Sequence, residues 1–243
     1  MQTNFKLASE LLKPIEDTTL FYPCSGDDLV DPIRLFAPTV IDFWFVDVKY
    51  FTSEPADKAE AVLSGDINYK LVESNIIDGP PLAIMTTKTD PNTGKQYPYL
   101  EPCILTETYQ HTHSGRIVRI HRRRGFGFCA FKKYIPSLGV FFYRCDSPGD
   151  GGSGNLWLIP VRIRSILNKL RSGGFIVTDG SQHGLSKHGE DEELWKYRWT
   201  QDGEEAMTSV KAFKDKQGNT FTCVGYAGQG YGPTLIWKVI KPT

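Results

Sequence analysis

Short apolar runs bounded by turn chemistry set the rhythm of this chain, and their spacing predicts alternating strands and helices. Helical spacing of Phe5, Ala8, Leu11 and Leu12, stopped by Pro14, predicts a leading helix over 5–13. A strand over about 18–22 ends in the small-residue loop Pro23-Cys24-Ser25-Gly26-Asp27. Asp31-Pro32 reads as an N-cap followed by a first-turn proline, opening a short helix over Ile33 to Phe36 that Pro38 ends. A second strand runs from Val40 to Tyr50 and carries Asp47 within Phe43-Trp44-Phe45-Val46-Asp47; an Ala-rich amphipathic segment to Leu63 follows as the second helix.

Residues 66–135 change character. Alternating apolar pieces at 81–87, 96–106 and 116–121 are separated by Asp90-Pro91-Asn92-Thr93-Gly94 and His113-Ser114-Gly115, which fits hairpins better than helices. We read this stretch as a β-rich insertion in a single domain spanning 1–243. The alternation then returns. Leu138 to Cys145 is a buried-type strand closed by Asp146, and 161–170 has helical periodicity with Gly173-Gly174 as its C-terminal signal. Phe175 to Asp179 is a further strand, and the chain closes with two strands around Gly218-Asn219 and a last one at 234–240. The fold class expected is α/β: a mostly parallel central sheet with helices on both faces and a C-terminal antiparallel hairpin.

Composition narrows the partners only a little. Lysine plus arginine and aspartate plus glutamate both number 28, so net charge favours neither nucleic acid nor membrane. There is no run of 18 apolar residues and no secretory leader pattern, so a soluble, cytoplasmic protein is expected, with no membrane partner. The five cysteines, Cys24, Cys103, Cys129, Cys145 and Cys223, are scattered without a C-x-x-C pair, which argues against a disulfide framework or zinc site.

Two loops carry the candidate chemistry. The loop after the first strand, with an acid 21 residues beyond Gly26, has the spacing of a nucleotide site. Small residues there admit a ligand to the backbone, and Asp47 would accept hydrogen bonds from ribose hydroxyls. The loop 147–155 holds four glycines in nine residues behind Asp146, and Asp150, Gly151, Gly152 and Ser153 are read as substrate-binding. The one concentrated basic patch is Arg116, Arg119, Arg122, Arg123 and Arg124 with His111, His113 and His121. Arg122, Arg123 and Arg124 on a hairpin would contact nucleic acid phosphates, or else form a charged, solvated edge. His183 and His188 are considered as general bases, and His111-x-His113 with His121 as a metal site, but no acid or cysteine stands at ligand spacing.

Taken together, Pro23-Cys24-Ser25-Gly26-Asp27, Asp47, Asp146 and Leu170-Arg171-Ser172-Gly173-Gly174-Phe175-Ile176-Val177-Thr178-Asp179 resemble the Rossmann-like S-adenosylmethionine-dependent methyltransferases over 18–65 and 138–240. The resemblance implies S-adenosylmethionine as cofactor, held at Cys24, Ser25, Gly26, Asp27 and Asp47. It also implies a sheet ending in an antiparallel hairpin. Asp146 is the residue assigned to the acceptor side of catalysis. Two alternatives stay open: a Rossmann-like nucleotide-binding protein without catalysis, and an interaction module using the arginine hairpin.

Overall fold

A computed structural model of the chain describes residues 7–47, 59–78, 85–89, 91–100, 103–146, 157–158, 160–179, 212–230 and 233–242. Twelve strands are described: β1 Thr19–Pro23, β2 Asp42–Asp47, β3 Tyr69–Asp78, β4 Met85–Thr89, β5 Gln96–Leu100, β6 Cys103–His111, β7 Ile117–Arg124, β8 Leu138–Tyr143, β9 Leu170–Thr178, β10 Ala212–Lys214, β11 Thr220–Gln229 and β12 Pro233–Ile240. The helices are α1 Ser9–Leu12, α2 Val30–Phe36, α3 Gly127–Tyr134 and α4 Pro160–Lys169.

Ten strands form one sheet in the order β10-β11-β12-β9-β8-β1-β2-β7-β6-β3, and β4-β5 pair separately. The expectation of a mostly parallel sheet needs correction. Only the centre, β9-β8-β1-β2-β7, is parallel; both flanks are antiparallel, and antiparallel neighbours outnumber parallel ones five to four. Taken in chain order, the five central strands run 3-2-1-4-5, the order of a doubly wound sheet. On one flank β12 lies antiparallel between β9 and β11, supplying the expected terminal hairpin. On the other, β7 of the β-rich stretch pairs in parallel with β2, register Trp44↔His121, so that stretch is woven into the main sheet. The fold is mixed α/β.

The middle of this parallel part, above all β8 and β1, is apolar because it is covered on both faces. One face packs Tyr22, Phe43, Phe45, Val140 and Phe142 against Ile33 and Phe36 of α2. The other packs Phe21, Phe141 and Ile176 against Phe131 of α3, Ile163 and Ile166 of α4, and the buried Trp157. Central strands therefore read as continuous apolar runs, β8 being buried at all six positions.

Several local expectations are also revised. The leading helix is only Ser9–Leu12, continued by a 3-10 turn over Lys13–Ile15 that accommodates Pro14. Helix α2 starts one residue before Asp31, with Leu29 at its N-cap; Asp31 is drawn to Arg144 and leaves the capping role empty. Of the second helix expected up to Leu63, only the end is described, and it is helical: residues 59–60 run into a π-helix over Ala61–Asp66, while 48–58 lie outside the described residues. Gly173 and Gly174 lie inside β9 and do not end a helix. A Cβ on Gly173 would stand 2.6 Å from Cβ of Pro14, and its φ of +84° is one that side chains resist. The pair thus lets the 3-10 turn settle on the sheet. Helix α4 ends at Lys169, whose ammonium donates to the carbonyls of Phe131 (2.8 Å) and Ile135 (2.5 Å) at the end of α3.

Candidate functional site at the carboxyl edge

Because β1, β2, β7, β8 and β9 are parallel, whatever follows each of them emerges at one edge. That edge collects Cys24 to Asp28 after β1, Asp47 at the end of β2, Gly125 and Phe126 after β7, Arg144 to Asp146 after β8, and Asp179 after β9. Gly26 and Asp146 therefore lie on one rim. Connections leave β1 and β8 in opposite directions, so the crevice between them is where doubly wound sheets bind ligands.

The β1 side is strapped to β2 by backbone bonds. The amide of Ser25 donates to the carbonyl of Val46 (3.1 Å), and the amide of Gly26 donates to Oδ2 of Asp47 (3.1 Å). The paired loop and acid of the sequence are therefore in direct contact. Gly26 has φ +50°, and among the described residues no atom lies within 4 Å of the position its Cβ would take. Asp47 and Cys24 are half-buried, Asp27 is exposed, and Ser25 is buried. Cys24 (φ +56°) and Cys145 (φ +60°) both take the left-handed conformation, one at each lip of the crevice.

The β8 side is locked. The Arg144 guanidinium forks onto Asp28 (Nε to Oδ2 2.6 Å, a second nitrogen to Oδ1 2.7 Å) and reaches Asp31 (2.7 Å) and the carbonyl of Ala227 (2.8 Å). One buried arginine therefore joins β8, the start of α2 and the terminal hairpin. Tyr22 donates to Asp28 (2.8 Å); burial first, and then the Asp28 charge, push its phenol well above the ordinary range. Asp146 is only 2% exposed and turns inward, accepting from the hydroxyl of Tyr143 (2.9 Å). Burial and the Asp146 charge raise that phenol strongly, keeping it a neutral donor. Asp179, adjoining, accepts from the amide of Cys145 (2.9 Å).

The arginine patch is overturned as an exposed surface. Arg119, His121, Arg122, Arg123 and Arg124 lie on β7, an interior strand, and Arg122, Arg123 and Arg124 are 1%, 7% and 1% exposed. Arg116 precedes the strand, His111 ends β6, and exposed His113 lies in the turn between the two strands. Arg122 pairs with Glu107 of β6 (2.9 Å), and Arg123 lies over the ring of Tyr134 (5.2 Å). Arg119 binds Asp42 in bidentate fashion (2.6 and 3.0 Å), while His121 bridges Asp42 (3.0 Å) and Thr106 (2.8 Å) beneath Trp44. Arg116 engages Asp17 and the carbonyl of Thr39. Arg122, Arg123 and Arg124 therefore form neither an exposed nucleic acid contact nor a solvated edge: they are buried, while Arg119, its side chain 41% exposed, is held by Asp42.

Asp150, Gly151, Gly152 and Ser153, like His183 and His188, lie outside the described residues. Two described cavities, of about 320 and 350 Å³, open at the opposite edge, one lined by Arg164, Asn168 and Lys241, the other by Tyr69, His111 and Arg116. Sequence reasoning missed two features of the carboxyl edge: the Arg144 clamp and Phe126, a ring 63% exposed at the start of α3. The signal for Arg144 was present, a lone cation ending an apolar strand; its acidic partners lie more than 110 positions away.

No family model and no curated protein matches the chain. It is similar to one solved structure, an rRNA methylase from Streptococcus thermophilus, at 12% identity and a TM-score of 0.39, over 97% of this chain and 94% of that one. A likeness that loose carries no argument. The functional reading rests on the chain's own geometry.

Proposed function

We propose that this protein transfers a methyl group from S-adenosylmethionine to an acceptor, binding the cofactor at the β1–β2 lip. The observation that carries the reading is the 3.1 Å bond from the Gly26 amide to Asp47, which sets a carboxylate beside a backbone turn at the edge of a doubly wound sheet. The donor set fits an adenosine-bearing ligand: a half-buried carboxylate for a pair of ribose hydroxyls and a small-residue turn beside it. S-adenosylmethionine, when bound, supplies an electrophilic methyl, so the protein's work is largely positioning and water exclusion. In this reading Asp47 orients the ribose, and Cys24 to Asp27 shape the cradle. Asp146, held by Tyr143, positions the acceptor together with Asp150, Gly151, Gly152 and Ser153. The setting we assign is cytoplasmic.

A second reading, a nucleotide-binding protein without catalysis, is favoured by one observation: Asp146 points into the protein, with 2% of its surface exposed. Two measurements separate them. Thermal-shift titration should show stabilisation by S-adenosylmethionine and S-adenosylhomocysteine and none by NAD or ATP. Release of labelled methyl to an acceptor pool then supports transfer. Stabilisation without methyl release would select the binding protein, and no stabilisation by either sulfur ligand would overturn the cofactor assignment.

A further inference from the structure

Three side chains away from the carboxyl edge form a relay across the sheet. β6 and β7 are antiparallel neighbours with Thr106 opposite His121, and β7 pairs in parallel with β2, setting His121 beside Trp44. Directly paired residues share one face of the sheet, and Asp42, two positions before Trp44, lies on that face as well. The result is a line across three strands. Asp42 Oδ1 lies 3.0 Å from His121 Nε2, and His121 Nδ1 lies 2.8 Å from Thr106 Oγ1.

The partners fix the tautomer of the ring. Burial pushes the Asp42 carboxyl up, but hydrogen bonds from His121 and Arg119 outweigh it and hold the group at about 2. The carboxylate is therefore ionised and can only accept, so Nε2 of the neutral imidazole carries the proton. Nδ1 is left as a bare acceptor, and the Thr106 hydroxyl donates to it. The ring is also held in place: Trp44 stacks on it at 4.3 Å and is itself stacked on Tyr134 of α3 at 5.0 Å. His121 is buried and Thr106 is half-exposed, so the relay meets solvent as a hydroxyl. Across the next ladder, Asn75 of β3 stands directly opposite Thr106; its exposed amide gives one hydrogen to Glu73 (2.6 Å) and keeps a second.

An imidazole that takes a hydroxyl proton, with a carboxylate orienting the ring from behind, is the arrangement that activates serine or threonine as a nucleophile. The β6–β7 turn holds a contrasting pair. There Ser114 Oγ lies 2.9 Å from His111 Nδ1, but the Ser114 amide donates to the same nitrogen (3.1 Å), and no carboxylate backs that ring among the described residues.

We propose that Thr106, His121 and Asp42 form a hydrolytic triad that cleaves small carboxylic esters. Thr106 Oγ1 attacks the ester carbonyl carbon as its proton passes to His121 Nδ1. The carbon's bond to the alcohol oxygen then breaks, and the alcohol leaves with that proton. Water attacks the acyl-threonine and gives a proton to His121, which returns it to Thr106 as the carboxylic acid departs. Asp42 is the positioning residue, and the second Asn75 N–H is a donor for the carbonyl oxygen as it gains charge. The inference stands whether or not the chain binds S-adenosylmethionine.

The test uses p-nitrophenyl acetate and the full chain. Wild type should release p-nitrophenolate, and mass spectrometry of the quenched reaction should find an acetyl group on Thr106. Thr106→Ala should lower the rate roughly a hundredfold or more, whereas Thr106→Ser, which keeps the hydroxyl, should retain most of it. Circular dichroism melting checks that both variants fold. Nitrogen NMR should find the wild-type His121 proton on Nε2, and Asp42→Asn should move it to Nδ1 and lower kcat with little change in KM. Three results would each overturn the inference: release by wild type no faster than by Thr106→Ala, acetyl groups on other residues but none on Thr106, or a wild-type ring proton on Nδ1.

Discussion

The two lips of the carboxyl-edge crevice are built from similar parts and treat them in opposite ways. Both follow a buried parallel strand, both carry a cysteine in the left-handed conformation, and both place a carboxylate nearby. At the β8 lip the charges are spent on the protein itself: Arg144 holds Asp28 and Asp31, and Asp146 holds Tyr143. At the β1 lip the carboxylate of Asp47 accepts from the Gly26 amide and is half-buried beside a turn of small residues. A buried ion pair fixes geometry, whereas a half-buried acceptor beside small residues can exchange partners. In the function we propose, the first lip is scaffold and the second is the ligand side.

The largest break in that contrast should come from Arg144→Met. Removing the guanidinium takes the cation from two partly buried carboxylates, Asp28 keeping its bond from Tyr22, and from the carbonyl of Ala227. Such a change costs about 3–5 kcal/mol when a buried pair loses one partner. Urea denaturation measures it. A loss below about 1 kcal/mol would mean that the clamp is not what holds the terminal hairpin to α2.

A middle-sized effect is expected away from both lips, at Asp42. Burial alone would raise its pKa, but hydrogen bonds from His121 and Arg119 hold the carboxyl down at about 2. A depressed pKa contributes stability that is present above the unfolded value of 3.8 and is lost as pH falls through about 2. The carboxylate is partly in solvent, so we discount the full linkage to about 1–2 kcal/mol. Asp42→Asn should remove that part of the acid dependence between pH 4 and 2. If wild type and variant lose stability in parallel over that range, the Asp42 network is not the source.

The smallest stability change is predicted for Asp47→Ala without ligand. It deletes one acceptor of a half-exposed amide, a cost of about 0.5–1 kcal/mol. A loss as large as that at Arg144 would erase the distinction between scaffold and ligand side.

What the sequence made legible follows from how local each cause is. The strands at 19–23, 138–143 and 233–240 were readable because a sheet covered on both faces needs continuous apolar runs, and those runs are local. The pairing of Gly26 with Asp47 was readable because one βαβ step sets their separation. The arginine run was misread because the same residues suit an edge and an interior strand; only Glu107 and Tyr134, brought in by β6 and α3, show which it is. Asp31 was misread as a cap because Arg144, which draws it away, lies 113 positions later. Helix α3 was missed because two glycines and a short span hide its period within a hairpin-like stretch.

The central claim, that the β1 lip binds an adenosine-bearing cofactor through Asp47, is tested most directly by isothermal titration of S-adenosylhomocysteine into wild type and Asp47→Ala. The account predicts saturable binding to wild type and a loss of about 1.5–3 kcal/mol in the variant, roughly 10- to 100-fold, because a charge-assisted acceptor for two hydroxyls has gone. Equal affinity for the two proteins would contradict it.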